Sequence, residues 1–217
     1  MQVELIIFDC DGVIADSEIL SAEVLIAQLA ALDVAITPED VRRDFLGRSF
    51  PTVAASIRAR FDRALPADFE ASYRSRLLAR FEEALRPTPG FAAMLAGLTG
   101  RRVCVATSSS PPRVARTLQL LGLDAQFGAD VFTASQVARG KPAPDLFLFA
   151  AARMIAAPAA CLVIEDSAPG LAAAEAAGMR VLHYAGGGHM AGQPAPPGVR
   201  SFSDWADFPA LLAELEA

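Results

Sequence analysis

Lysine is almost absent from this chain of 217 residues, because 18 of its 19 basic side chains are arginine and Lys141 is the one lysine. Cysteine is also scarce. The three cysteines, Cys10, Cys104 and Cys161, are an odd number and have no CxxC spacing, which disfavours a disulfide framework or a zinc site. We interpret them as reduced, buried thiols.

Long hydrophobic runs and excess positive charge are both missing. No apolar run approaches the roughly 18 residues that span a bilayer, and Glu4, Asp9 and Asp11 interrupt the apolar start of the chain, so we expect no signal peptide. The net charge of −6 and a pI near 5.0 disfavour nucleic acid and anionic membranes as partners. We expect a cytoplasmic protein, a monomer or weak homo-oligomer, with a small molecule as its partner.

Short apolar runs alternate with helical patterns over most of the chain. Gly122 and Gly178 stand where two of these helices are expected to end. This alternation is typical of an α/β protein with a doubly wound parallel sheet. The predicted strands lie at 3–8, 102–106, 131–133, 161–164 and 180–183, and the pattern at 131–133 is the weakest.

Residues 16–86 break the alternation, since only helical patterns occur there. Thr37 followed by Pro38 is typical of a helix N-terminus. An i, i+4 stripe of apolar residues predicts the packing face of another helix; its members are Phe69, Tyr73, Leu77, Phe81 and Leu85. We therefore predict a helical domain at 16–86, inserted into an α/β core made of residues 1–15 and 87–217. The last residues, 210–215, indicate a short terminal helix.

Four polar clusters follow, or lie close to, the apolar runs. In an open parallel sheet, ligands bind beyond the carboxyl ends of the strands, so we expect these clusters to converge on one site. Asp9 and Asp11, two residues apart at a strand end, are able to serve one substrate. The clusters are Asp9-Cys10-Asp11-Gly12, Thr107-Ser108-Ser109-Ser110, Gly140-Lys141-Pro142 and Glu165-Asp166-Ser167.

Carboxylates from two strand ends would repel each other unless a cation lay between them. A hard divalent ion with oxygen ligands meets that need, and Mg²⁺ is the usual choice beside a phosphate. Lys141 is a compact second cation, useful where a planar guanidinium would not fit. The residues thus predict a site for Mg²⁺ and a phosphorylated ligand.

These four clusters, in this order and spacing, resemble the motifs of the haloacid dehalogenase-like (HAD) hydrolases, in the branch that carries a helical cap after the first motif. The resemblance covers nearly the whole chain and implies a Rossmann-like core. The stretches Asp16-Ser17-Glu18 and Glu165–Gly170 are most similar to β-phosphoglucomutase and the sugar-phosphate phosphatases.

The resemblance implies a role for each motif residue. Asp9 would be the nucleophile that forms an aspartyl-phosphate, and Asp11 would be the general acid and base. Thr107 and Lys141 would orient the phosphoryl oxygens, assisted by Ser108. Mg²⁺ would be held by the carboxylates of Asp9 and Asp166 and the backbone carbonyl of Asp11, with Glu165 nearby or ligating.

We expect a phosphatase acting on a small phosphorylated sugar or sugar acid. The first alternative is a phosphosugar mutase, which is weakened because residues 16–86 contain no lysine for a second phosphate. A non-catalytic binding domain on the same fold is the other alternative, disfavoured because all four motif residues are present. Gly47 and Arg48 are our candidate cap contacts, with Arg74 and Arg76 behind them.

We predict no functional role for either of the two histidines. His183 lies in a predicted strand. His189 follows the run Gly186-Gly187-Gly188, which we interpret as a surface loop because of its turn-forming residues.

Overall fold

A computed structural model describes residues 2–217 of the chain. Its centre is a sheet of six parallel strands in the order β3-β2-β1-β4-β5-β6. The strands are β1 (Leu5–Phe8), β2 (Arg102–Thr107), β3 (Val131–Thr133), β4 (Cys161–Glu165), β5 (Arg180–Tyr184) and β6 (Ser201–Phe202). The first five confirm the predicted strands.

Within residues 2–217, ten α-helices accompany the sheet. Those of the α/β core are α5 (Phe91–Gly97), α6 (Pro111–Leu120), α7 (Asp124–Phe127), α8 (Asp145–Arg153), α9 (Ala168–Ala176) and α10 (Phe208–Glu216). The terminal helix α10 confirms the expectation at 210–215. The other four, between β1 and α5, are α1 (Glu18–Ala30), α2 (Pro38–Asp44), α3 (Phe50–Phe61) and α4 (Phe69–Ala84).

The central strand β1 is apolar throughout because both faces of the sheet are covered. Ile6 and Phe8 belong to one hydrophobic cluster, which includes residues of α5, α6 and α10. Leu5 and Ile7 point to the opposite cluster, with residues of α8 and α9. Alternate side chains on opposite faces of a strand produce this two-sided burial, and it gives the doubly wound fold that the sequence predicts.

The helices α1 to α4 surround a third hydrophobic cluster that contains the predicted stripe Phe69, Tyr73, Leu77, Phe81 and Leu85. The chain leaves and re-enters the core at adjacent points, where the N–H of Asp16 donates to the carbonyl of Arg86 at 3.0 Å. The Thr37 capping box also forms as predicted. The helical insertion is thus confirmed, while its boundaries at 16 and 86 stay a prediction.

The cysteines and the helix lengths can also be compared with what the sequence predicts. All three cysteines are free and buried. No helix within residues 2–217 is long and apolar enough to cross a membrane.

Candidate active site

The site lies where three adjacent strands end. Asp9 follows β1, Thr107 is the last residue of β2 and Glu165 is the last residue of β4. Phe8 pairs with Val105 on one side and Ile164 on the other, so the three ends lie level with one another. Thr107 is buried, and its hydroxyl oxygen accepts from the Ser109 N–H at 3.0 Å. The parallel sheet therefore brings three of the four predicted motifs to one edge.

Lys141 reaches this edge from the loop before α8 and is fully buried. Its Nζ donates to Asp9 Oδ1 at 2.6 Å, to Glu165 Oε1 at 2.7 Å and to the Ala106 carbonyl at 3.1 Å. Three acceptors match the three N–H groups of an ammonium. Burial alone would lower the pKa of Lys141, but the Asp9 and Glu165 carboxylates outweigh burial and raise it. Lys141 is therefore charged and fixed.

Glu165 has partners on both of its oxygens. While Oε1 accepts from Lys141, Oε2 accepts from the backbone N–H groups of Asp166 and Ser167, at 2.8 and 2.7 Å, and from the Ser167 hydroxyl at 2.9 Å. Burial opposes ionisation, yet Lys141 and Ser167 hold the pKa of Glu165 below its ordinary value. Glu165 is thus an ionised anchor that connects Lys141 to the start of α9.

Asp9 and Asp166 are the two carboxyl groups of the site whose ionised form is disfavoured. Burial, together with neighbouring carboxylates, raises the pKa of both well above the ordinary value. Ligand oxygens of Asp9, Glu165 and Asp166 lie within 4.8 Å of one another, and Asp166 Oδ2 has no hydrogen-bond partner in the described chain. A buried, unpartnered carboxylate oxygen is costly. This oxygen-rich group suits a hard divalent cation such as Mg²⁺.

Asp11 lies apart from Lys141 and has its own set of donors. Its Oδ1 accepts from Ser17 Oγ and from a terminal nitrogen of Arg113, both at 2.6 Å, and its Oδ2 accepts from Ser109 Oγ at 2.5 Å. Burial works against ionisation, but Arg113 and the two hydroxyls hold the pKa of Asp11 below its ordinary value. Asp9 and Asp11, two residues apart, therefore have opposite pKa shifts.

Arg113 was missed by the sequence analysis. It extends from the first turn of α6, and its guanidinium also lies 3.0 Å from Ser21 Oγ and 5.5 Å from the centre of the Phe81 ring. A signal was available, since a cation in the first turn of a helix opposes the helix dipole unless an acid compensates it. That acid is Asp11.

The cap candidates separate into two groups. Gly47 and Arg48 line a cavity of about 70 Å³ together with Asp9, Asp11 and Arg113. The Gly47 carbonyl also accepts from Ser108 Oγ at 2.8 Å, so Ser108 contacts the cap directly. Arg74, in contrast, forms an ion pair with Glu70, and Arg76 is exposed.

The expectation that the glycine run is a surface loop was wrong in part, because Gly187 is buried while Gly188 is exposed. The His189 side chain is 8% exposed, and its Nε2 lies 2.8 Å from Asp166 Oδ2. A histidine after three glycines carries no periodic signal, so nothing in the local pattern indicated its burial. His183 lies in β5, as predicted, with Nδ1 3.0 Å from Ser201 Oγ.

Several known proteins are similar to this chain in sequence and in fold. The family model of the haloacid dehalogenase-like hydrolases matches residues 3–178. The 6-phosphogluconate phosphatase of Escherichia coli is 24% identical over 212 residues, 97% of this chain and 95% of that protein. The phosphorylated carbohydrates phosphatase of Thermotoga maritima is 28% identical over 83% of this chain and 84% of its own length.

A solved structure agrees over the whole chain. A conserved haloacid dehalogenase-like protein of unknown function from Agrobacterium tumefaciens superposes with a TM-score of 0.81 at 31% identity, covering 99% of both chains. The match of the family model over most of the sequence, together with the motif residues assembled at the strand ends, establishes that the chain belongs to the haloacid dehalogenase-like hydrolases.

Proposed function

We propose that this protein is a Mg²⁺-dependent phosphatase that hydrolyses a small phosphorylated sugar or sugar acid through an aspartyl-phosphate. One observation carries the proposal. Lys141 is held between Asp9 and Glu165, next to a buried and unpartnered oxygen of Asp166. This arrangement supports Asp9 as an oriented nucleophile and Asp166 as a ligand for a cation.

In the first step, an oxygen of Asp9 attacks phosphorus, and the bond between phosphorus and the ester oxygen breaks. Ser17, Ser109 and Arg113 hold Asp11 ionised in the free protein, so Asp11 must take up a proton from solvent when the substrate binds. It then gives that proton to the departing oxygen, and the leaving group departs as a neutral alcohol. Lys141 holds Asp9 Oδ1 at 2.6 Å, which fixes the carboxylate for in-line attack.

In the second step, water attacks the aspartyl-phosphate, Asp11 takes a proton from that water, and the bond between Asp9 and phosphorus breaks. Ser17, Ser109 and Arg113 hold Asp11 and favour its ionised form, which is the form required of a general base.

The metal would be held by the carboxylates of Asp9 and Asp166 and the backbone carbonyl of Asp11. When bound, Mg²⁺ supplies positive charge that offsets these carboxylates and the phosphoryl oxygens. Because both oxygens of Glu165 have partners, we assign Glu165 to the support of Lys141 and Asp166.

Thr107, Ser108 and Lys141 would bind the phosphoryl group, and the segment 16–86 would act as a cap over the leaving group. Gly47 and Arg48 are the cap residues that reach the cavity. The two phosphatase relatives, which by name act on 6-phosphogluconate and on phosphorylated carbohydrates, support a sugar or sugar-acid phosphate.

Phosphate release from a series of phosphorylated sugars and sugar acids tests this proposal. We expect turnover with Mg²⁺, its loss in EDTA and its recovery when Mg²⁺ is returned. Asp9→Asn should lower kcat by at least about 10⁴-fold, because an amide cannot form the covalent intermediate. An Asp9→Asn variant that keeps a near-normal rate would contradict the assignment of the nucleophile.

A second assay with the wild-type protein distinguishes a phosphatase from a mutase. The protein is mixed with β-glucose 1-phosphate and a glucose bisphosphate primer. Release of inorganic phosphate is the result expected here, whereas formation of glucose 6-phosphate without phosphate release would identify a mutase.

A further inference from the structure

His189 lies beside the proposed metal site without a hydrogen bond of its own. It is part of a short 3₁₀ turn, Gly188–Met190. Its Nε2 lies 2.8 Å from Asp166 Oδ2, and the two side chains are 8% and 1% exposed. Within residues 2–217, neither ring nitrogen nor this oxygen has a partner with hydrogen-bond geometry. Buried polar atoms without partners destabilise a protein, so this pair calls for a functional explanation.

The pair is packed on the turn that carries the first motif. A Cβ atom at Gly12 would lie 1.9 Å from Asp166 Oδ2 and 2.8 Å from His189 Cε1. A Cβ atom at Gly187 would lie 2.8 Å from the Gly12 carbonyl oxygen and 2.9 Å from His189 Nδ1. Only glycines leave room for these contacts, and the imidazole and the carboxylate are therefore confined to one arrangement above Gly12.

The distances assign His189 to Asp166 and not to the ion itself. Among the described residues, the group whose ligand atoms all lie within 4.8 Å consists of Asp9, Glu165 and Asp166. His189 is outside it. Carboxylates that ligate a metal are typically oriented by neighbouring polar groups, and His189 is the imidazole in that position beside Asp166.

The same turn also contacts the beginning of the helical insertion. The Gly188 N–H donates to Asp16 Oδ1 at 3.0 Å, and a Cβ atom at Gly188 would lie 3.0 Å from Ile19 Cδ1. Asp16 lies two residues before α1, and Ile19 lies in its first turn. One short turn thus touches both the metal carboxylate and the point where the chain enters the insertion.

We propose that His189 is a positioning residue for Asp166, which keeps the free carboxylate oxygen oriented for the divalent ion. This rests on the Mg²⁺ site of the proposed function. Loss of a residue that orients a metal ligand typically lowers metal affinity about 10–100-fold. We expect that loss for His189→Ala, with partial recovery in His189→Gln, whose side-chain amide can again contact Asp166.

Titration of the metal-free, full-length protein with Mg²⁺ in a calorimeter measures this directly, and Mn²⁺ binding followed by EPR provides a second measurement. Gln193→Ala is the matched control, because Gln193 follows the same turn and borders the same cavity as His189. We expect the control to bind Mg²⁺ with wild-type affinity. If His189→Ala does not fold, the comparison of His189→Gln with wild type decides the question through the same two measurements.

Kinetics distinguish positioning from a general structural role. If His189 acts through Asp166, raising the Mg²⁺ concentration should restore most of the kcat of His189→Ala, and a merely structural role would allow no such recovery. Equal Mg²⁺ affinity in wild type and His189→Ala would overturn the role of His189 alone. Absence of Mg²⁺ binding in the wild-type protein would instead overturn the metal-dependent function on which it rests.

Discussion

The choice of lysine at position 141 is explained by the space around its ammonium. The Nζ atom is completely enclosed and has three acceptors within 3.1 Å. A guanidinium is planar and larger than an ammonium, and it does not fit an enclosed site of this size. A chain that uses arginine at its other 18 basic positions keeps lysine where only a compact cation fits.

Lys141→Arg should therefore lower kcat/KM by about 100-fold or more, a loss comparable to that of one donor in a preorganised site. Arg139→Lys is the matched control, because Arg139 lies in the same loop and is 71% exposed. We expect the control to retain wild-type kcat/KM in steady-state phosphate-release assays. Near-normal activity of Lys141→Arg would show that this buried contact is not required.

Glu18, at the start of α1, predicts a pH-dependent stability. Burial, with the nearby Asp11 carboxylate, raises the pKa of Glu18 from about 4.5 to about 8. The folded protein thus keeps this proton over a range in which the unfolded chain releases it. Stability must then fall as the pH rises from about 4.5 to about 8.

Glu18→Gln removes this titration, so its Tm should rise relative to wild type as the pH increases from 5 to 8, with little difference at pH 5. Thermal unfolding of both metal-free proteins in EDTA, over a series of pH values, measures the difference. A Tm difference that does not change with pH would refute the raised pKa.

At the scale of elements, the loop between α2 and α3 forms a contact between the insertion and the core. Gly47 has φ +71°, and a Cβ atom there would lie 2.2 Å from Ser167 Oγ. Its carbonyl accepts from Ser108. Both core partners belong to motif segments, so the position of this loop is coupled to the arrangement of the site.

Gly47→Ala should push this loop away from the core and lower kcat/KM by up to about 100-fold, as small misplacements near a reacting centre can do. Gly100→Ala is the matched control, because Gly100 has φ +78° with no atom within 4 Å of a Cβ. Both variants have the same left-handed strain, and only Gly47→Ala adds the clash with Ser167. A loss of activity in Gly47→Ala alone is therefore due to the contact with Ser167. Equal activities in the two variants would argue against that contact.

The elements that the sequence predicted well are those whose burial leaves a local pattern. Strand β1 is apolar on both faces, and the stripe from Phe69 to Leu85 repeats every four residues. Each pattern therefore indicates which side chains are buried. Strand β6 has only two residues, which is too short for any pattern. It exists because β5 offers an edge for pairing.

The candidate site shows the same division. The motif residues Asp9, Lys141 and Asp166 could be predicted, because the rule that parallel strand ends converge places them together. Arg113 left only an indirect signal, its positive charge in the first turn of α6, and His189 left none. Their contacts with Asp11 and Asp166 depend on how α6 and a glycine-rich turn pack in three dimensions.

At the scale of the whole molecule, the single tryptophan reports on the α/β core. Trp205 is fully buried, stacks on Tyr184 at 4.5 Å between ring centres, and donates from Nε1 to Thr88 Oγ1 at 3.0 Å. Phe8, the last residue of β1 before Asp9, packs edge-on against the same indole. Unfolding of the strand that leads to Asp9 should therefore change the fluorescence of Trp205.

Because unfolding changes the Trp205 fluorescence, metal binding can be measured as a rise in the Tm followed by this signal. A ligand that binds only the folded state at 100 times its Kd stabilises it by about 2.7 kcal/mol, which for a domain of this size raises Tm by about 5–10 °C. We expect Mg²⁺ to produce such a shift in the Trp205 signal of the wild-type protein, relative to NaCl of equal ionic strength. Asp166→Asn should lose the shift, because the amide lacks the charge that the ion would neutralise. If Mg²⁺ raises the Tm of Asp166→Asn as much as that of the wild type, the ion binds elsewhere. If the rise in Tm is lost in the variant, then the ion that Asp166 binds contributes to the stability of the entire fold.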